Sequence, residues 1–234
     1  MINIITNKFY HLVINGTSVD PVDYLRLACY TAYEGNIPFL FKEKKYKTSL
    51  MDLTQSLEEI SSKMKSNYRN EVKRANNEGV EFAQTEDVEE FISYYNDFAT
   101  KRGLSTIVRN HVTKYPKFVM TKAVYNEHVL AFHVTYMDDD IKKASLLFSA
   151  SNRLSDNVDT KLIGFANKFL HVKDFELFQN MGYKIYDFSG LVEDPNNKQE
   201  YGIGQFKKGF GGDVVECKTL YSPLMAFAML FKKH

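Results

Sequence analysis

The spacing of hydrophobic positions changes repeatedly along the chain, and each change marks an element. Leu57, Ile60, Met64, Tyr68, Val72 and Ala75 recur at three and four residues, which predicts one helix over 54–78 that stops at Gly79. Val88, Phe91, Ile92, Tyr95 and Phe98 predict a second helix over 87–102, ended by Gly103. Leu162, Ala166, Phe169, Leu170 and Leu177 predict a third over 159–180. Between the second and third helices the pattern becomes strand-like over 117–125, 128–137 and 142–150. The turns at 126–127 and 138–140 are too short for a parallel crossover, so these strands form an antiparallel meander. Its middle strand carries Leu130, Phe132, Val134 and Tyr136 on one face and Val129, Ala131, His133 and Thr135 on the other, which suits a central position.

Shorter signals fill the rest. Strands are predicted at 8–15, 37–41, 46–53 (bent around a basic turn at 42–45), 80–83, 183–188 and 214–220. Asp20-Pro21 opens a helix expected to run to Glu34, a short helix covers 203–208, and Ser222-Pro223 caps a last one. The fold class is α+β, with a mostly antiparallel sheet flanked by helices. The last helix, with Leu224, Met225, Phe227, Met229, Leu230 and Phe231, is apolar all round and must be buried or face another molecule, a homodimer partner included.

Composition narrows the function classes. Thirty basic residues against 29 acidic ones leave a net charge of +1, so a general nucleic-acid coat is not expected, whereas a local basic face is. Two cysteines make neither a disulfide framework nor a structural zinc site, which points to a reduced, cytoplasmic protein. No signal peptide and no span-length apolar run is visible, so integral membrane association is not expected; docking at the inner membrane face is the finer option. The six histidines lack metal-ligand spacing, and no nucleophile elbow occurs, so no metal site and no covalent hydrolase is expected.

Four places carry candidate chemistry. On the helix over 159–180, Gly164, Asn167, His171 and Asp174 fall in one quadrant, either a ligand-orienting face or a solvent-facing ridge. Asp187 ends a strand between aromatics; burial would raise it toward base duty, while a structural carboxylate satisfying loop amides is the equal alternative. The stretch 202–212 holds five glycines with Lys207 and Lys208, which suits phosphate, or is a plain glycine-rich turn. Lys65, Arg69 and Lys73 stand four apart, as a solvated face or an anion-binding ridge.

Taken together, three segments resemble one family. Arg69, Lys73, Arg74 and Ala75 before Gly79 are similar to a basic helix of the Fem-type acyltransferases, GNAT-like enzymes that include the peptidoglycan interpeptide-bridge aminoacyltransferases. Gly182-Tyr183-Lys184-Ile185-Tyr186-Asp187-Phe188-Ser189-Gly190 resembles the family's Asp-Phe-Gly-Gly strand and turn, with Ser189 for the first glycine. Gly202 to Gly212 resembles its closing segment. The usual acyl-CoA pyrophosphate signature is missing after Ala150, where Ser151-Asn152-Arg153 stands instead.

The resemblance implies a GNAT-like domain over 49–234, with 1–48 as a strand-helix-strand remnant of a second such domain. It implies transfer of an acyl or aminoacyl group to an amine or hydroxyl of an amino sugar, nucleotide sugar or amino-acid derivative in envelope synthesis. No bound cofactor is implied; the donor is acyl-CoA or aminoacyl-tRNA, with tRNA a partner in the latter case. A non-catalytic binding module of the same fold is the other alternative. Asp187 and His171 are the expected catalytic pair; Asn167, Lys207, Lys208, Arg69 and Lys73 are the expected donor- or substrate-binding residues.

Overall fold

A computed structural model describes residues 1–7, 9–151 and 159–231. In chain order these form β1 (Ile2–Asn7), β2 (Tyr10–Ile14), a 3-10 turn (Pro21–Leu25), β3 (Leu27–Thr31) and β4 (Lys42–Asp52). Next come α1 (Leu57–Lys63), α2 (Ser66–Asn77), β5 (Glu81–Thr85), α3 (Val88–Lys101), α4 (Asn110–Thr113), β6 (Phe118–Tyr125), β7 (His128–Asp138) and β8 (Lys143–Ser151). The chain closes with α5 (Thr160–Asn180), β9 (Ile185–Asp187), α6 (Lys198–Lys208), β10 (Asp213–Tyr221) and α7 (Pro223–Phe231). They group into two compact units, Ser49–Asp213 and the combination of Met1–Thr48 with Val214–His234. Residues 214–234, assigned from sequence to the domain beginning at 49, thus group with the N-terminal segment.

In the smaller unit β1 and β2 form an antiparallel hairpin, β2 pairs parallel with β3, and β3 pairs antiparallel with the end of β10. Residues 21–34, expected to be one helix, make a single 3-10 turn capped by Asp20 and then strand β3. The proline and cap start a turn, but Leu27–Thr31, with Ala28, Cys29 and Tyr30 all buried, completes the sheet between β2 and β10. The basic residues 42–45 belong to β4, and 37–41 is not a strand. Helix α7 lies against β3 and the 3-10 turn with none of its side chains buried; Phe227, Leu230 and Phe231 stay exposed. One flank of a nine-residue helix meets the sheet, so the other apolar flank is left open.

The larger unit follows the expected meander. β6, β7 and β8 pair antiparallel in sequence, and β5 joins the outer edge of β6. Asn126 and Glu127 both have positive φ, the conformation that a two-residue hairpin requires. β8 then pairs parallel with β9, and β9 pairs antiparallel with β4. β7 is buried on both faces: Phe132 and Val134 pack with Val88 and Phe91 of α3, while Leu130 and Ala131 pack with Leu162, Ala166 and Phe169 of α5. The helix expected over 54–78 is two helices. Ser56 and Glu59 form a capping box at the start of α1, and Met64 turns extended (ψ 148°) before α2 begins. The Arg69 guanidinium on α2 donates to the carbonyls of Ser61, Ser62 and Met64 at the end of α1, so the break is satisfied internally.

Glycines in the closing segment serve close packing. A Cβ on Gly204, inside α6, would lie 2.2 Å from the Val192 carbonyl oxygen, and one on Gly209 would lie 2.3 Å from the Tyr68 ring. A glycine-to-alanine change in a helix interior normally stabilises by ~1 kcal/mol. Gly204→Ala is expected to do the opposite and cost roughly 1–3 kcal/mol, because backbone meets the new methyl. Urea denaturation of the two proteins checks the sign.

Candidate functional site

Helix α5 positions the site. Its N-terminus is capped by Asp159, whose carboxylate accepts from the Lys161 amide. The quadrant read as a ligand-facing surface or a ridge is buried: Asn167, His171 and Asp174 are 7%, 1% and 0% exposed, and Gly164 is buried with them. That face lies on β6 and β7, where Thr121 and His133 stand directly opposite each other in register. Thr121 Oγ1 donates to Asp174 Oδ1 at 2.7 Å, His133 Nδ1 lies 2.7 Å from Asp174 Oδ2, and His133 Nε2 lies 2.9 Å from Asn167 Oδ1. The His133 and His171 rings lie 4.3 Å apart, centroid to centroid.

An opening in the sheet brings this face to solvent. The parallel pairing of β8 with β9 ends at Ser145↔Asp187; beyond it, among the described strands, β8 pairs with β7, and Ser189 Oγ donates to the Leu146 carbonyl. A cleft of about 460 Å³ lies here. Its walls are Leu146, Ser149 and Ser151 of β8, Asn167 and His171 of α5, Ile203, Phe206 and Lys207 of α6, and Phe98 and Arg102. Part of its lining is thus the edge of β8, and part is the buried face of α5.

Electrostatics of the cleft are set by burial. His171 is enclosed by Tyr186, Phe188, Phe206 and Phe210, and its Nδ1 sits 3.4 Å from the Tyr186 hydroxyl. Burial first, then the electrostatic influence of His133, Lys207 and Lys168, holds it well below its ordinary value, so the ring is neutral. A base suited to taking an amine proton at neutral pH was expected there; desolvation makes it a weak one. Lys207 Nζ donates to the carbonyls of Ser189 and Gly190, each at 2.7 Å. Burial pushes Lys207 down to about 8, against the opposing pull of Asp187.

The other expected site residues lie elsewhere. Tyr186 and Phe188 both meet the His171 ring, so Asp187 between them points to the opposite face of β9, away from His171. Its carboxylate accepts from the Ser189 amide at 2.8 Å and lies 3.7 Å from Lys143 Nζ. The expected Asp187–His171 pairing is therefore not made, since strand alternation separates them. Lys208 is paired with Glu193, Arg69 is spent on the end of α1, and exposed Lys73 is not in the cleft wall. The basic ridge was drawn from helical spacing, which cannot see the carbonyls that claim Arg69. Asn152 and Arg153, weighed as a pyrophosphate contact, lie outside the described residues. His133, Asp174's partner, and Arg102 were not singled out; both come from elements remote in sequence from α5.

Among the described residues, His133, His171 and Asp174 are a group close enough to share a metal ion. Their atoms fit a hydrogen-bonded network better, because both Asp174 oxygens and both His133 nitrogens already have protein partners.

No protein-family model matches the chain, and no curated protein matches it by sequence. Solved structures do. FemX superposes with a TM-score of 0.70 at 12% identity, covering 98% of this chain and 85% of the other. The fold is Fem/GNAT-like. L-PGS from Bacillus licheniformis follows with a TM-score of 0.61 at 12% identity, over 98% of this chain and 83% of that one. The C-terminal domain of a protein assigned as a lysylphosphatidylglycerol synthetase from Agrobacterium fabrum gives 0.59 at 13% identity, over 98% and 82%. The Fem/GNAT-like likeness spans nearly the whole chain, as the α+β reading and the Fem resemblance of its three segments anticipated. Among the described residues no helix is long and apolar enough to cross a membrane.

The buried neutral His171 sets a pH dependence of stability. Above pH ~6.5 the ring is neutral in both folded and unfolded chains; below it the unfolded chain takes a proton that the folded one refuses. Stability therefore falls with pH by up to about 1.4 kcal/mol per unit from this group. Urea titrations at pH 7 and pH 5 should show a smaller acid loss in His171→Leu than in the natural protein.

Proposed function

We propose that the chain is an acyltransferase that moves an acyl or aminoacyl group onto an amine or hydroxyl within the cleft where β8 and β9 part. The observation that carries this reading is the convergence there of a strand edge, a neutral imidazole, a side-chain amide and a half-buried lysine in a Fem/GNAT-like fold. Such a site needs no nucleophile of its own. The acceptor's nitrogen or oxygen attacks the acyl carbonyl directly, a bond forms to carbon, the thioester or ester bond breaks, and the acceptor's proton leaves with the departing group or to solvent. The edge of β8 offers backbone groups along which an extended donor arm can lie. Phe98, Ile203 and Phe206 give that arm apolar cover, and Lys207 and Arg102 suit a phosphate on donor or acceptor.

The acceptor class we favour is an amino sugar, nucleotide sugar or amino-acid derivative used in envelope synthesis, and the donor an acyl-CoA or an aminoacyl-tRNA. The link to envelope chemistry is supported by the Fem resemblance and by likeness to FemX and to a domain assigned as a lysylphosphatidylglycerol synthetase. With Arg69 occupied, the Lys65/Arg69/Lys73 ridge lends the tRNA donor no support. Asp187 and Lys208 support the loop and α6 in this reading rather than meeting the reacting atoms.

A thermal-shift screen with acyl-CoAs, charged tRNA and nucleotide sugars tests the reading. A true ligand at 100 times its Kd adds ~2.7 kcal/mol, and no shift with any class refutes acyl transfer. For an anionic donor, Lys207→Met should weaken binding by ~1.5–3 kcal/mol. The pH dependence has a definite sign: the ammonium attracts phosphate and the neutral amine does not. Affinity for coenzyme A should fall as pH rises through about 8 in the natural protein and stay level in Lys207→Met. Calorimetric titration at pH 7 and 9 checks it.

A further inference from the structure

Asn167 and Asp174 are seven residues apart on α5, two helical turns and about 10.5 Å along the axis, on the same face. One imidazole, His133, bridges them. Asp174 is fully buried and acceptor-only as a carboxylate: Thr121 donates to one oxygen and His133 Nδ1 to the other. That fixes a hydrogen on Nδ1 and locks the ring. Asn167 Oδ1 lies 2.9 Å from Nε2, and two acceptors do not bond, so this contact is a hydrogen bond when Nε2 carries a hydrogen too. The amide of Asn167 is thereby held by its oxygen. Its Nδ2 makes no hydrogen bond to the described residues, and Asn167 forms part of the cleft wall. In that arrangement the two amide hydrogens are the end of the side chain left for the cleft.

We propose that Asp174 and His133 are positioning residues that clamp the Asn167 carbonyl, so that its amide N–H groups are preset to donate to the carbonyl oxygen of an acyl donor in the cleft. The inference rests on the acyl-transfer reading. Its chemistry is that of a preorganised donor: the hydrogen bond strengthens as the carbonyl oxygen gains negative charge, and no side chain has to reorient when it does. An unclamped asparagine could turn either end to the ligand, and half of those orientations would set oxygen against oxygen. The clamp also explains why a carboxylate and an imidazole stand fully buried beside aliphatic and aromatic side chains, where unpaired polar groups are costly. A network that only satisfied itself would end inside the core; this one ends at the wall of the cleft.

Nitrogen-15 NMR on the full chain separates the two roles. In the ligand-free protein, both His133 ring nitrogens should carry hydrogen and the Asn167 side-chain amide should exchange with solvent. A bare Nε2, with the Asn167 N–H bound to it, would overturn the proposal, because the oxygen would then face the cleft. His133→Phe should release the amide, seen as a shifted Asn167 side-chain signal. Should that variant not fold, the natural protein's spectrum decides the clamp alone. The second arm adds acetyl-CoA, and separately puromycin as a stable aminoacyl-adenosine mimic. Binding should slow exchange of the Asn167 amide by roughly tenfold, the scale of one hydrogen bond. If either probe shifts the Ile203 and Phe206 amides and leaves Asn167 unchanged, the proposal fails while the acyl-transfer reading stands. If neither probe moves any cleft residue, the acyl-transfer reading falls and takes the role of Asn167 with it.

Discussion

Helix α5 is buried on its polar side as well as its apolar side, and the larger unit is arranged around that constraint. A helix so enclosed must find partners for Asn167, His171 and Asp174 inside the protein, because each unpaired polar group costs kilocalories in a dry interior. The partners come from the sheet. Register places Thr121 of β6 opposite His133 of β7, and both point at the helix. A one-residue slip of either strand would turn its side chain to the other face and cost Asp174 one of its two partners. Lys168 is handled similarly, with Glu71 on α2 at 2.7 Å and the rings of Tyr68 and Phe206 beside it. The polar network and the meander therefore specify each other.

The second determinant is where the sheet opens. Parallel pairing of β8 and β9 covers only three residue pairs, and β9 gives way to a loop as soon as Asp187 has accepted the Ser189 amide. Ser189 then ties the loop to the Leu146 carbonyl at 2.7 Å, and Lys207 reaches back to the same loop from α6. These contacts hold α6 across the gap and leave a bounded cleft instead of a continued sheet. Gly204 and Gly209 allow α6 that close approach, against Val192 and Tyr68. The glycines and the Asp-Phe turn thus act by shaping the walls, and the polar side chains that line the cleft come from α5, from β8, from Arg102 and from the lysine of α6.

Charge in the cleft follows from the same enclosure. His171 is stripped of water by four aromatic rings and stays neutral, and Lys207 loses part of its preference for the ammonium form. The site therefore combines a neutral imidazole with a lysine that yields near pH 8. That combination suits positioning and charge stabilisation more than strong base catalysis.

Local pattern was enough for much of this. The meander, α3, α5 and their ends followed from periodicity and capping, because a strand or helix with one apolar face declares its period in the chain. The polar quadrant of α5 was legible too, since residues at three- and four-residue spacings must share a face. What could not be read was which carbonyls, carboxylates and strands those faces would meet. Leu27–Thr31 became a strand because the smaller unit's sheet had a place between β2 and β10. Arg69 left its ridge because the end of α1 had unpaired carbonyls. Asp187 turned from His171 because strand alternation, counted from Tyr186 and Phe188, allowed nothing else. The pairing of His133 with Asp174 joins positions 41 residues apart. The sequence by itself determined the elements and the faces they present, which depend on neighbours a few residues away; the partners of those faces, and with them the site, were decided by the tertiary structure, because only packing removes the water that would otherwise satisfy each polar group.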